Sequence, residues 1–330
     1  MLGYYYGTVF MANVPNPAPG LEISESTDVS RSDKCWVYMH LQKSGGTTVK
    51  GILRGVWKDR FAIYDSPHWV KGDKFLQYFG RRLATGNRWN VIAGGYPEAL
   101  RRSRAAAEKC LWFTQFRHPI PRMVSAYYYC KRSSTDHACA SKVVNAKDAT
   151  LETFAKHWGN FAVRQFALSF VDITDVMEYS KTDAARERLP PSISDVPSLP
   201  GWYLLKMYLD SHVAPEASQH GQIPDLALYE MLQPAQDLLR DNYTAVGILE
   251  EFDTTLSLYD VALSIPGIDW HKNFASQGKK AVAMDYAEKE AASLAEAWTN
   301  SEIKKYMQLD IVLHEHAVDV FRKKAQAYGI

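Results

Sequence analysis

Short apolar runs and amphipathic stretches alternate along this chain of 330 residues. Short, continuous apolar runs are typical of strands buried on both faces of a sheet. Five segments have this character: 35–41, 60–64, 90–93, 110–116 and 243–249. Segments with helical spacing follow them, and strands that alternate with helices predict right-handed crossovers and a mainly parallel sheet. We therefore predict an α/β fold, a P-loop-like three-layer sandwich in which helices flank a central, mainly parallel sheet.

Composition predicts the domain organisation. Residues 1–32 are rich in Pro, Asn, Ser and Gly and lack periodicity, which predicts an extended N-terminal arm. Residues 33–330 then form a single domain with a Pro- and Ser-rich insertion near 186–225. No apolar run approaches the ~20 residues that span a bilayer, so we expect no membrane segment. A formal net charge of +1 argues against a nucleic-acid binder, which is usually strongly basic.

The four cysteines lack the CxxC spacing of a zinc ribbon. Cys130 and Cys139 bracket a short polar loop and would suit a disulfide in an oxidising compartment. The simpler interpretation, which we prefer at this point, is that all four cysteines are reduced thiols.

The segment after the first predicted strand, Gln42 to Thr48, has the pattern of an anion-binding loop, and we call it the glycine loop. Gly45 and Gly46 let the backbone approach a ligand closely, and the helix that follows presents unpaired N–H groups at its start. Lys43 adds a full positive charge, but it precedes the glycines, whereas a Walker A lysine follows them. Hydroxyl donors are present at Ser44, Thr47 and Thr48. The pattern predicts a phosphate or sulfate pocket; the alternative is a turn that merely joins strand to helix.

Two segments together resemble the nucleotide motifs of a known family. His40 to Thr48 resembles the 5′-phosphosulfate loop of sulfotransferases that use 3′-phosphoadenosine-5′-phosphosulfate (PAPS), and it is most similar to the carbohydrate group that includes the heparan sulfate sulfotransferases. Phe116 to Tyr128 resembles the family's 3′-phosphate motif, in which a strand-end arginine is followed eight residues later by a serine. The chain departs from that motif at His118, where the family usually has Asp.

The resemblance implies a role for the residues that match these motifs. Lys43 falls where the family's lysine contacts the oxygen that bridges phosphate and sulfate, and Arg117 and Ser125 fall where the family binds the 3′-phosphate. Lys279 or Lys280 lies in a late loop where the family closes over the nucleotide; the alternative is a solvated lysine pair. The nucleotide-binding residues expected on this basis are Gln42, Lys43, Ser44, Gly45, Gly46, Thr47, Thr48, Arg117, Ser125 and Lys279. PAPS would be the donor and PAP, its desulfated form, the product, with no metal ion.

Sulfuryl transfer also needs a base that takes the proton of the acceptor hydroxyl. Many relatives place a histidine in a Gly-His turn after the third strand, where this chain has Gly94 and Gly95. The segment Asp65 to Trp69 is similar instead to a Glu-Pro-His-Phe-Phe segment of the 3-O type of heparan sulfate sulfotransferase. That similarity makes His68 the candidate base, with Asp65 orienting it or acting in its place; the alternative is a loop histidine without a role.

Two further histidines, His314 and His316, flank Glu315 in the last predicted helix. Residues two apart on a helix point to different faces, so we predict structural roles for both rather than metal ligation.

The sequence is compatible with two classes of acceptor. The resemblance implies a carbohydrate hydroxyl. Six basic residues would form a cleft for it or else a solvated face: Arg101, Arg102, Arg104, Arg122, Lys131 and Arg132. The aromatic residues Tyr127 to Tyr129, with Trp69 and Trp202, would instead suit a small hydroxylated metabolite.

The chain as given is expected to be soluble, located in the Golgi lumen if a membrane anchor has been trimmed and otherwise in the cytoplasm. The rival functions are a P-loop nucleotide kinase, which predicts binding of ATP with Mg²⁺, and a nucleotide- or glycan-binding module without turnover.

Overall fold

A computed structural model describes residues 35–58, 61–63, 91–95, 97–102, 108–133, 139, 146–171, 175, 178–179, 181–183, 207–208, 226–276 and 284–330. The predicted arm and most of the predicted insertion lie outside these residues. Among the described helices, none combines the length and the apolar character that a membrane span requires.

Five parallel strands form one sheet in the order β2-β3-β1-β4-β5. They are β1 (Cys35–Met39), β2 (Phe61–Ile63), β3 (Val91–Gly94), β4 (Cys110–Phe116) and β5 (Ala245–Ile248). β1, β3 and β5 are buried along their whole length, as a strand covered on both faces must be. Each strand coincides with one of the five predicted apolar runs, so the predicted α/β class is confirmed.

Helices cover both faces of the sheet. They are α1 (Gly46–Trp57), α2 (Pro119–Arg132), α3 (Leu151–Trp158), α4 (Phe161–Ala167), α5 (Leu226–Asp241), α6 (Phe252–Leu263), α7 (Trp270–Ser276), α8 (Met284–Thr299) and α9 (Ser301–Ala327), with 3₁₀ turns at Pro97–Arg102 and Leu249–Glu251. On one face, Phe113 of β4 packs edge-on against Tyr259 of α6 and Trp270 of α7. On the other, Phe116 stacks on Phe166 of α4, with ring centroids 5.8 Å apart. The three layers match the predicted sandwich.

The order of the strands fixes where a ligand can bind. From β1 the chain continues to β2 and β3 on one side of the sheet, and then returns to β4 and β5 on the other side. The direction therefore reverses between β1 and β4, which are direct neighbours. In open α/β sheets, ligands bind beyond the carboxyl ends of the strands at such a switch point. Both predicted phosphate motifs follow β1 or β4, so the topology places them at this crevice.

The interpretation of four reduced thiols is wrong. The parallel register places Cys35 of β1 directly opposite Cys110 of β4, with Cα atoms 4.5 Å apart, and the two form a disulfide. Cys130 of α2 is bonded to Cys139, with Cα atoms 5.0 Å apart. Both Cα separations lie within the range that a disulfide can bridge.

Candidate functional site

The glycine loop makes a tight turn from β1 into α1. Lys43 and Gly45 both adopt left-handed backbone conformations, with φ of 64° and 80°. A left-handed conformation is uncommon for a residue with a side chain, and such residues cluster at functional sites. No side chain of the described residues caps α1, and its first turn holds no acidic residue. The N–H groups and the positive end of the helix dipole therefore face the loop without a competing anion from that turn.

Close neighbours explain the two glycines of the loop. A side chain at Gly46 would overlap the ring of His40, and one at Gly45 would lie 2.9 Å from Nε2 of Gln115. His40 is itself held in place, because its backbone N–H donates to the carbonyl of Gly94 at 2.7 Å. Gly45 and Gly46 thus let α1 begin directly against β1 and β4.

The two predicted motifs meet at Lys43. Nη1 of Arg117 donates a hydrogen bond to the backbone carbonyl of Lys43 at 3.4 Å, although 74 residues separate them in sequence. Nζ of Lys43 lies 4.3 Å from the centroid of the Tyr129 ring, a cation–π contact. Burial lowers the pKa of Arg117, and the charges of Glu250 and Glu290 oppose that shift. The structure thus brings the Arg117 guanidinium to the backbone of the glycine loop at the switch point of the sheet.

Ser125 lies on the α2 face that is directed to this loop. It is half-buried and precedes Tyr129 by four residues, so the two side chains share one helix face. Tyr129 contacts Lys43, and Ser125 is therefore on the same side of α2 as the glycine loop. Arg117 lies two residues before the start of α2. Arg117 and Ser125 therefore both lie at the end of the crevice that the second motif forms.

His118 replaces the expected aspartate without loss of the helix cap. Its Nδ1 accepts a hydrogen bond from the Ile120 N–H at 3.3 Å and so caps α2. A carboxylate is present beside the backbone of His118, but it belongs to Glu250 in the turn after β5. Oε1 of Glu250 accepts a hydrogen bond from the His118 N–H at 2.9 Å. Burial lowers the pKa of His118, opposed by Glu250 and Glu315. A lowered pKa favours the neutral ring that an accepting Nδ1 requires.

Two buried side chains at the loop have polar atoms without a partner among the described residues. They are the hydroxyl of Ser44 and the carboxamide of Gln115, and both residues are completely buried. Sequence reasoning missed Gln115. The available signal was a glutamine near the end of an otherwise mostly apolar strand, two residues before Arg117.

The remaining predicted site residues divide into two groups. Gln42, Thr47 and Thr48 lie on the glycine loop and the first turn of α1, with Gln42 and Thr48 half-buried and Thr47 exposed. The candidate bases His68 and Asp65, and the candidate phosphate contact Lys279, lie outside the described residues.

The predicted basic cleft is wrong at Arg122. This residue is 1% exposed and forms a buried ion pair with Asp310, so it contributes no charge to an open surface. The predicted aromatic pocket is wrong at two of its tyrosines, which are buried and anchored within the fold. Tyr127 donates to the carbonyl of Ala149 and Tyr128 to that of Lys289, each at 2.8 Å.

His314 and His316 point to different neighbours, as predicted. His316 Nε2 is 3.0 Å from the carbonyl of Gln236, whereas the His314 ring packs edge-on against His118. Burial, with the nearby His118 and Arg122, lowers the pKa of His314 to about 4. His314 therefore stays neutral near pH 7, beside the residue that caps α2.

Replacing Tyr129 by leucine is expected to weaken the binding of inorganic sulfate several-fold, because the lost ring contact releases the Lys43 ammonium from the glycine loop. A cation–π contact of this kind contributes about 0.5–1 kcal/mol at a partly exposed site. Tyr129→Phe keeps the ring and should bind sulfate as the unmodified protein does. The check is calorimetry with sulfate on the two variants; an equal loss of affinity in both would assign the effect to the hydroxyl rather than to the ring.

Comparison with known proteins does not place the chain in a family: no family model matches it, and no curated protein matches it either. The functional conclusion therefore depends on the glycine loop, Arg117 and their surroundings.

Proposed function

We propose that this chain is a sulfotransferase that transfers the sulfuryl group of PAPS to an acceptor hydroxyl. The observation that carries the proposal is the contact between Arg117 and the Lys43 carbonyl at the switch point of the sheet. It joins a 5′-phosphosulfate-like loop to a 3′-phosphate-like motif. A ligand with two separate anionic groups suits such a pair better than a simple nucleoside triphosphate does.

In this proposal, each residue of the site has a separate role. The start of α1 and Lys43 bind the phosphosulfate end, while Arg117 and Ser125 bind the 3′-phosphate. The S–O bond to the nucleotide phosphate breaks as the acceptor oxygen bonds to sulfur, and the phosphate leaves with additional negative charge. Lys43 stabilises that charge as it develops, which lowers the barrier selectively. The acceptor proton passes to a base, for which His68 and Asp65 are the candidates.

For the acceptor we propose a carbohydrate hydroxyl, on the strength of the motif resemblance. The anchoring of Tyr127 and Tyr128 weakens the case for an aromatic pocket that holds a small metabolite. For the compartment we propose the Golgi lumen. The chain has two disulfides, and such bonds are rare in cytosolic proteins.

Calorimetry with PAP and with ATP plus Mg²⁺ tests the proposal against the kinase alternative. We expect PAP to bind without metal and more tightly than Mg-ATP. Arg117→Ala should weaken PAP binding by about 2 kcal/mol, or roughly 30-fold, the cost of a lost charged hydrogen bond. Arg240→Ala is the matched control, because Arg240 is an exposed arginine on α5.

The outcomes separate the rival functions. A preference for Mg-ATP would overturn the sulfotransferase proposal. PAP binding without sulfation across a panel of sugar and small-molecule acceptors would support a binding module. Unchanged PAP affinity in Arg117→Ala would remove Arg117 from the site.

A further inference from the structure

We infer that Gln115 is a further ligand-binding residue of the glycine loop, one whose carboxamide contacts the sulfate or phosphate oxygens held there. The inference deepens the proposed function and rests on it for the identity of the ligand. It stands on three observations: the burial of Gln115, its lack of hydrogen-bond partners among the described residues, and its position against Gly45.

Gln115 occupies the next-to-last position of β4, at the carboxyl end where the switch point lies. Its side chain is completely buried, and neither Oε1 nor Nε2 has a partner among the described residues. The neighbouring Thr114 differs, because its hydroxyl donates to the Met39 carbonyl at 2.8 Å. Burying an amide without hydrogen bonds is unfavourable, and a buried orphan of this kind in a native fold needs an explanation.

The position of the carboxamide supplies that explanation. A side chain at residue 45 would come within 2.9 Å of Gln115 Nε2, so glycine at this position keeps the carboxamide in contact with the loop backbone. The adjacent Ser44 contributes a buried hydroxyl that also lacks a partner among the described residues. In the described part of the chain, three polar atoms without a partner thus collect at the uncapped start of the 12-residue helix α1.

The hydrogen-bond donors among these groups suit the oxygens of a sulfate or phosphate group. Nε2 of Gln115 and the Ser44 hydroxyl are hydrogen-bond donors, and the start of α1 adds N–H groups and a positive dipole. The two side-chain donors are uncharged, so they orient a sulfate or phosphate group while Lys43 supplies the charge. We assign Gln115 to the phosphosulfate end of the donor, because it lies at Gly45 on the β1–α1 side of the crevice.

The test is Gln115→Met, which nearly preserves the volume of the side chain and removes both polar atoms. We expect PAP affinity in calorimetry to fall about tenfold, as for one lost hydrogen bond to a charged group. The affinity for inorganic sulfate should fall as well. Tm should stay equal or rise, because the variant no longer buries an unpaired amide. Gln115→Leu serves as a second apolar variant in case the methionine packs poorly.

Gln165→Met is the matched control. Gln165 is also buried, but its Nε2 donates to the Gly95 carbonyl at 2.6 Å, so the substitution should lower Tm. A structural role for Gln115 would make Gln115→Met resemble this control. The inference is overturned if both Gln115 variants lower Tm as much as the control does, or if they bind PAP and sulfate as the unmodified protein does.

The sulfate measurement separates this inference from the proposed function. A protein that binds sulfate but not PAP would overturn the proposed donor, and weaker sulfate binding in Gln115→Met would still support Gln115. A protein that binds neither probe would overturn both.

Discussion

Lys43→Met is expected to lower the rate of the proposed sulfuryl transfer at least a hundredfold while the affinity for PAPS itself changes little. Removing one preorganised group that stabilises developing charge typically costs a factor of about 10² to 10³ in kcat. Lys43 meets that description in the proposed reaction, because the charge on the leaving phosphate grows as the S–O bond breaks. An interaction that strengthens in the transition state acts on kcat more than on binding.

The fold should tolerate this substitution. Arg117 holds the left-handed backbone of residue 43 through the Lys43 carbonyl, which methionine retains. The lost contact of the ammonium with Tyr129 costs about 0.5–1 kcal/mol at a partly exposed site. Methionine also keeps most of the aliphatic part of the lysine side chain.

Steady-state kinetics of the proposed reaction, with PAPS as the donor and a panel of sugar acceptors, measure the effect, with unfolding curves as the check on the fold. Lys131→Met is the matched control, since Lys131 makes a similar contact with the Tyr127 ring, 4.5 Å from its centroid. Near-normal kcat in Lys43→Met would remove Lys43 from the reaction. A similar fall of kcat in Lys131→Met would indicate that the loss of any such ring contact on α2 lowers kcat.

The parts of the structure that the sequence could predict depend on local patterns. The run from Cys110 to Phe116 is apolar enough to be a buried strand wherever it stands, and the glycines after β1 require a tight turn. That Lys43 and Arg117 lie at the same edge of the sheet follows from the fold class, whereas their proximity also requires β1 and β4 to be neighbours. The carboxyl ends of neighbouring parallel strands share one edge of the sheet, and a polar motif follows each of these two strands.

The parts that could not be predicted depend on partners far along the chain. The disulfide between Cys35 and Cys110 requires the exact register of β1 against β4. Arg122 has the sequence signature of a solvated arginine, but its pairing with Asp310, 188 residues away, compensates for its burial. Gln115 could be seen as unusual in its strand, but its lack of partners becomes visible only in three dimensions.

Asp310→Ala is expected to destabilise the fold by about 3–5 kcal/mol, the usual cost of breaking a buried ion pair from one side. The Asp310 carboxylate binds the Arg122 guanidinium and also accepts hydrogen bonds from the N–H groups of Ala162 and Val163, each at 3.0 Å. Those N–H groups belong to the first turn of α4, which lacks intrahelical partners. The substitution therefore leaves a buried cation and two helix donors without a partner.

Urea unfolding of three variants tests this account. Arg122→Met together with Asp310→Ala should be more stable than Asp310→Ala alone, because the double variant no longer buries an unpaired charge. Asp237→Ala is the control for a carboxylate in an exposed pair; its bond to Arg240 should contribute less than about 1 kcal/mol. A loss in Asp310→Ala no larger than in Asp237→Ala would contradict a structural role for the buried pair.

Asp310→Ala is also expected to affect the proposed nucleotide site, because α2 connects the buried ion pair to it. Arg122 lies in the first half of this helix, which begins two residues after Arg117 and carries Ser125 and Tyr129 on the side of the glycine loop. The ion pair ties that half of α2 to α4 and α9. In Asp310→Ala we therefore expect PAP affinity to fall even under conditions where the variant remains folded. If folded Asp310→Ala binds PAP as tightly as the unmodified protein, the pair supports the fold alone, and the position of the second motif is set by β4 and the His118 cap.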